Sequence, residues 1–224
     1  MYYEVEKDNC SLPRSPFKSC AVPRVIGWLS TMSPEGKSNL APYSQFTNLT
    51  FDPPYVLVSV NRTPQGEQKD TARNIEQQGE FVYNMVTYDL REQMNITAID
   101  YGKDVDEFEK AGLTKAPSVL VKPYRVAESP VQLECKYVQT VVIEGKSKVG
   151  TADVIIGKVV AVHIKDDALT KDGKIDIEKI KPLARLGYCD YTVAEKAFEL
   201  MPSKKEGVKE DYGMGLEGRS GFFK

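Results

Sequence analysis

The apolar residues of this chain come in strand-sized runs, each closed by Pro or Gly, and that punctuation limits the fold more than any other feature. Arg24 to Met32 is rich in Val, Ile, Trp and Thr and stops at Ser33-Pro34-Glu35-Gly36, with Pro and Gly where a tight turn takes them. The chain returns through Ser38 to Phe46 as the second arm of a hairpin. Asp52-Pro53-Pro54 breaks the pattern and launches Tyr55 to Val60, a run suited to a buried strand. Phe81 to Thr87 reads as another strand. Further on, Val131, Leu133, Cys135, Tyr137, Val141 and Ile143 alternate with Gln132, Glu134, Lys136 and Thr140, which predicts a long strand with one buried face. A turn over Gly145 to Gly150 leads into a strand over Asp153 to Ile164, where the interior Gly157 marks a bulge or a close backbone approach.

Helical signals are few and short. One helix is expected to begin near Lys69-Asp70-Thr71, capped by Asp70 or Thr71 and stopped by Gly79. A second is expected over Asp89 to Tyr101, with Leu90, Met94, Thr97, Ala98 and Tyr101 on one face and Asp89 and Glu92 as a capping box. A third, short and broken at Pro182, is expected within Asp176 to Leu186. Many strands with few helices predict a mainly β fold, a barrel rather than a doubly wound sheet. The expected organisation is an N-terminal arm over 1–19, one domain over 20–203, and a polar tail over 204–224 that forms a loose arm or a clasp on a partner subunit.

Composition narrows the function by exclusion. Charged residues make up 28% of the 224, yet the net charge is only −2, which argues against a nucleic-acid partner. Val154 to Ile164, the best apolar run, is interrupted by Gly157, Lys158 and His163 and is too short to span a bilayer. The first ten residues lack the apolar region of a signal peptide. Cys10, Cys20, Cys135 and Cys189 form no C-x-x-C pair, so no metal site is expected. Cys135 is expected as a buried thiol. These readings together predict a cytoplasmic protein with no membrane partner. The single histidine, His163, sits in the apolar stretch Val159 to Ile164 and is expected to be a core residue. An enzyme with so little histidine must draw its chemistry from a cofactor.

Two segments suit a ligand that carries both an anion and a flat ring. A helix starting at Lys69-Asp70-Thr71 would aim free N–H groups and its positive dipole end at an anion, with the Lys69 cation, the Thr71 hydroxyl and Arg62 nearby. Asn39-Leu40-Ala41-Pro42-Tyr43-Ser44 offers small residues that let backbone approach a ring, flanked by the hydrogen-bonding side chains of Asn39 and Ser44. Ser59, Val60 and Asn61, at the end of a buried strand, add more polar groups. Trp28, Tyr43 and Tyr188 are candidate stacking partners or plain core. By pattern alone, an ordinary capped helix and a hairpin kinked at Pro42 are the favoured readings.

The ordered set of segments resembles the flavin-reductase-like family of FMN-binding split barrels. The resembling stretches are Pro23 to Thr31, Gly36 to Ser44, Asp52 to Val56, Lys69 to Ile75, Gly79 to Val82, Ala111-Gly112-Leu113, Gly157-Lys158-Val159 and Pro182 to Gly187. The resemblance implies a split β-barrel with a few peripheral helices, and a homodimer with FMN near the subunit interface. It maps FMN onto Asn39 to Ser44, Ser59 to Arg62 and Lys69 to Thr71. The implied activity is an oxidoreductase that passes hydride from NAD(P)H to flavin and on to a small-molecule or protein acceptor. Many flavin reductases of this kind carry a histidine before the strand with the Gly-x-Val motif. Here that position reads Gly150-Thr151-Ala152-Asp153. The departure keeps two alternatives open: a flavoredoxin-type electron carrier without its own nicotinamide site, and a module that binds another phosphate-bearing ligand.

Overall fold

The structure, a computed structural model, describes residues 1–7, 10–102 and 105–200. The expected tail over 204–224 lies outside the described residues. Among the described residues ten strands form: β1 (Arg24–Met32), β2 (Ser38–Phe51), β3 (Pro54–Asn61), β4 (Glu80–Asn84), β5 (Lys115–Ala116), β6 (Arg125–Val126), β7 (Val131–Ile143), β8 (Ala152–Ile164), β9 (Leu183–Gly187) and β10 (Asp190–Val193). Five short helices accompany them: α1 (Phe17–Cys20), α2 (Asp70–Gln78), α3 (Arg91–Ile96), α4 (Glu107–Lys110) and α5 (Ile177–Ile180). The main sheet runs β10-β9-β1-β2-β3-β8-β7-β4, and a further antiparallel pairing of β1 with β4 closes six strands into a barrel.

Closure explains why β1 is buried on both faces. Leu29 joins an interior cluster with Phe46, Val56, Val58, Val60, Phe81, Cys135 and Ile155, into which α2 inserts Ala72 and Ile75. Ile26 and Trp28 point the other way, into a second cluster with Leu40, Met94, Phe108 and Leu183. Trp28 is fully buried there and donates from Nε1 to Thr97 Oγ1 at 2.8 Å, which makes it a core residue rather than a ring platform. Cys135 is buried as expected, and burial pushes its thiol well above the usual range.

Several elements differ from the sequence expectation. The Asp89–Tyr101 helix shrinks to a 3₁₀ turn over Tyr88–Leu90 followed by α3, and no side chain caps either piece. The Asp176–Leu186 helix is only α5, because Leu183–Gly187 is recruited as β9 by the free edge of β1. α2 starts at Asp70, but its cap position is Lys69 and no side chain caps it. Gly79, at φ 73°, ends it with an N–H bond to Ile75 O, as expected.

The strand β7 has no simple buried face. Gln132 and Glu134, expected outside, are buried because the segment joining β5 to β6 covers them. Val119 and Leu120 donate backbone N–H groups to Glu134 at 2.8 and 2.6 Å, and Arg125 donates to Gln132 at 3.2 Å. His163 is likewise not a core residue. It is half-buried, and its Nε2 lies 2.6 Å from Glu134 Oε1, so a carboxylate rather than apolar packing holds it. Beyond Lys136, β7 leaves β4, and Val141, Val142 and Ile143 are all exposed. The register slips between Tyr137 and Gln139 opposite Gly157, which supplies the expected bulge.

Candidate functional site

A cavity of about 340 Å³ opens where α2 meets the β1–β2 hairpin. One wall is Asn39, Ala41, Pro42 and Tyr43 of β2, and another is the start of α2, Lys69, Asp70, Thr71 and Arg73. The loop after β3 adds Thr63, Gln65, Glu67 and Gln68, and the far side is the Thr97–Gly102 segment with Glu107.

A polar network on buried ground fixes the two main walls. Asn39 Nδ2 donates to Thr31 Oγ1 at 3.1 Å and to Thr71 Oγ1 at 3.0 Å, and Asn74 Nδ2 donates to the same Thr31 oxygen at 3.2 Å. Thr31, Thr71 and Asn74 are buried, so water cannot replace these bonds cheaply and the start of α2 is held in register with β2. The first turn of α2 has no side-chain cap, and its N–H groups are left for something other than the chain's own side chains. Arg73 is committed to Asp70, whereas Lys69 forms no ion pair among the described residues. The α2 end therefore presents a helix start and an unpaired cation, the arrangement that suits an anion.

The β2 wall is chemically different. Burial pushes the Tyr43 phenol up to about 12; the nearby Glu107 carboxylate adds to this and a hydrogen bond with Thr71 opposes it. Tyr43 stays protonated at neutral pH and acts as a donor rather than a base. Glu107 Oε2 accepts the backbone N–H of Leu40 at 3.1 Å. Burial raises the Glu107 carboxyl above the usual range, backbone N–H groups including that of Leu40 counter it, and Asp106 and Asp100 raise it further.

Of the thirteen residues singled out in the sequence, the fold brings Asn39, Ala41, Pro42, Tyr43, Lys69, Asp70 and Thr71 to this one cavity. Leu40 turns its side chain into the core, and Ser44 lies beside Arg24, which donates to its carbonyl at 3.1 Å. Ser59 and Val60 belong to the inner part of β3, where Val60 is fully buried. Asn61 donates to Val149 O at 3.2 Å. Arg62 spends its guanidinium on the buried Asp153, at 2.8 Å, and not on the cavity. Tyr188 lies at the surface under Arg14. The wall over Thr97–Gly102 and Glu107 escaped the sequence reading, because Thr97, Ala98 and Tyr101 were expected on a helix that stops at Ile96. Gly102, with φ 85°, was the available sign that the chain turns there. Among the described residues, no group of three or more His, Cys, Asp and Glu could hold a metal ion, and no helix is long and apolar enough to cross a membrane.

Comparison with known proteins converges on one family. The family described as flavin reductase like domain matches residues 19–192. An uncharacterized protein of Halalkalibacterium halodurans is 40% identical over 179 residues, covering 80% of this chain and 85% of that protein. Among solved structures, nitrilotriacetate monooxygenase component B from Bacillus cereus is 32% identical with a TM-score of 0.77, over 88% of this chain and 95% of that one. A candidate flavin reductase with a split barrel domain from Shewanella frigidimarina is 26% identical with a TM-score of 0.77, over 91% and 100%.

Proposed function

Because the chain belongs to the flavin reductase like family, we propose that it binds FMN in the cavity between α2 and β2 and works as an FMN-dependent oxidoreductase. The observation that carries this is the uncapped, cation-bearing start of α2 facing a wall of small residues and a protonated tyrosine. The residues fit the group. The α2 N–H groups and Lys69 would hold the phosphate, Ala41 and Pro42 leave room for a flat ring, and the Tyr43 hydroxyl and Asn39 amide would meet its polar atoms. When bound, FMN supplies the ability to take up and hand on a hydride or single electrons. The chain's own part is to bind, orient and partly shield it.

In the fuller form of this reading, NAD(P)H gives hydride to the flavin, which passes electrons to a small-molecule or protein acceptor. Stopped-flow bleaching of bound FMN by NADH or NADPH tests that step, and no bleaching with either removes it. The second reading is a flavoredoxin-type carrier reduced by a protein donor. It is favoured by one observation: His163, the only histidine, is tied to Glu134 and does not line the cavity. Reduction by a ferredoxin-type donor but by neither nicotinamide would select it.

The binding residues are testable by substitution. Lys69→Ala with Thr71→Ala should weaken FMN binding, each lost charge-assisted hydrogen bond costing about 1.5–3 kcal/mol. Flavin fluorescence titration reads the change, and an unaltered affinity moves the phosphate elsewhere. We also propose a homodimer, supported by the exposed apolar edge of β7 described above, and a cytoplasmic location.

A further inference from the structure

The charges that line the cavity are spread unevenly over its walls. Its α2 end, with the loop before it, holds Lys69 and Glu67, which form no ion pair with each other, and an Arg73 already neutralised by Asp70, so its formal charges balance. Its opposite end holds Asp100 and Glu107, neither of which forms an ion pair among the described residues. Asp100 is exposed, and its carboxylate accepts the Gly102 N–H at 3.4 Å. Glu107 is half-buried and lines the cavity, with Oε2 on the Leu40 N–H. The two are close enough that Asp100 raises the Glu107 carboxyl. The other described residues at that end, Thr97, Ala98, Ile99, Tyr101 and Gly102, carry no charge. A cleft with low-dielectric walls and charge of one sign focuses its field on whatever enters.

We propose that Asp100 and Glu107 are specificity-determining residues that admit uncharged or cationic electron acceptors to this end of the cavity and reject anionic ones. The inference rests on the FMN reading above, with the anionic group of the cofactor at the α2 end and the acceptor entering opposite. For a quinone, the reduced flavin gives two electrons, and two protons accompany them from the flavin and solvent. The products are oxidised FMN and the hydroquinone.

The test uses the full chain loaded with FMN, photoreduced without oxygen and mixed at pH 8 with either 1,4-naphthoquinone or its anionic 2-sulfonate. The readout is the anionic-to-neutral ratio of reoxidation rates, so the intrinsic potentials of the two quinones cancel between variants. Asp100→Asn with Glu107→Gln should raise that ratio about five- to tenfold. The Gln carbonyl can still accept the Leu40 N–H, so the fold has no reason to fail. In the unsubstituted protein, the sulfonate rate should rise with added salt more steeply than the neutral rate. Absence of bound FMN overturns the functional reading and this inference together. FMN bound and reoxidised with an unchanged ratio, or with equal salt slopes, overturns the inference alone.

Discussion

At the scale of single residues, most of the surprises are polar groups buried by segments distant in sequence. Glu134 alternates with apolar neighbours and so reads as solvent-facing, yet its side chain is fully enclosed. Nothing local announces that the segment around Val119 will fold over it. Arg62 is the mirror case: beside Asn61 and Lys69 it reads as a ligand residue, but its partner Asp153 stands 91 positions away. Lys69, Thr71 and Asn39 were legible because a helix start and a kinked strand are local features. Glu134 also makes a pH prediction. Burial alone would raise its carboxyl, but the Val119 and Leu120 N–H groups and His163 outweigh burial and hold it below the usual 4.5. A carboxyl depressed in the folded state stabilises the fold above its unfolded pKa, and that stability is lost as pH falls through the folded value. Glu134→Gln should therefore cost about 1–3 kcal/mol at pH 7. The gap in melting temperature between the two proteins should narrow as pH falls below about 4.5, by circular dichroism, and a gap that stays constant would remove the carboxylate from this role.

At the scale of elements, the long strands and α2 were legible and the other helices were not, for a physical reason. Strand runs here are fixed by Pro and Gly breaks that act locally, as at Ser33 to Gly36 and Asp52 to Pro54. The short helices are fixed by what they meet. Thr97 ends α3 because its hydroxyl donates to Met94 O at 2.8 Å while accepting from Trp28, 69 positions away. β9 forms because the start of β1 offers a free edge, which no periodicity in 176–186 encodes. Gly157 was legible as special, and its reason is now visible. A Cβ there would lie 2.4 Å from the Phe81 ring, across the barrel interior, so β8 can pass over Phe81 only as glycine. Gly157→Ala should destabilise by about 1–3 kcal/mol through overpacking. Gly36→Ala meets no neighbour and loses only the ease of its positive φ, about 1 kcal/mol. Urea unfolding of both variants compares them, and equal midpoints would show that the Phe81 ring gives way to the added methyl.

At the scale of the whole molecule, barrel closure joins β1 to β4 across more than fifty residues; the strand pattern predicted a barrel but not which strands close it. Closure also leaves one strand unfinished. β4 covers β7 only as far as Lys136, and beyond it Val138, Val141, Val142 and Ile143 are exposed on a strand that, among the described residues, pairs only with β8. An open apolar edge invites pairing with another chain, and a second copy is always at hand. The turn that follows this edge is tied to the cavity. Asn61 donates to Val149 O, Arg62 N to Thr151 O at 3.0 Å, and Gly66 packs against Lys148, so the loop carrying Thr63 to Gln68 leans on residues next to the exposed edge. Dimer formation and FMN binding should then be linked, each strengthening the other by the same factor. Light scattering should give twice the chain mass, and Val141→Glu with Ile143→Glu should return it to one. In that monomer FMN should bind about tenfold more weakly, roughly 1.4 kcal/mol, although no substituted residue lines the cavity. A monomer that keeps full FMN affinity would show the site to be complete within one chain, and an unsubstituted protein of single-chain mass would leave the valine edge without a partner of its own kind.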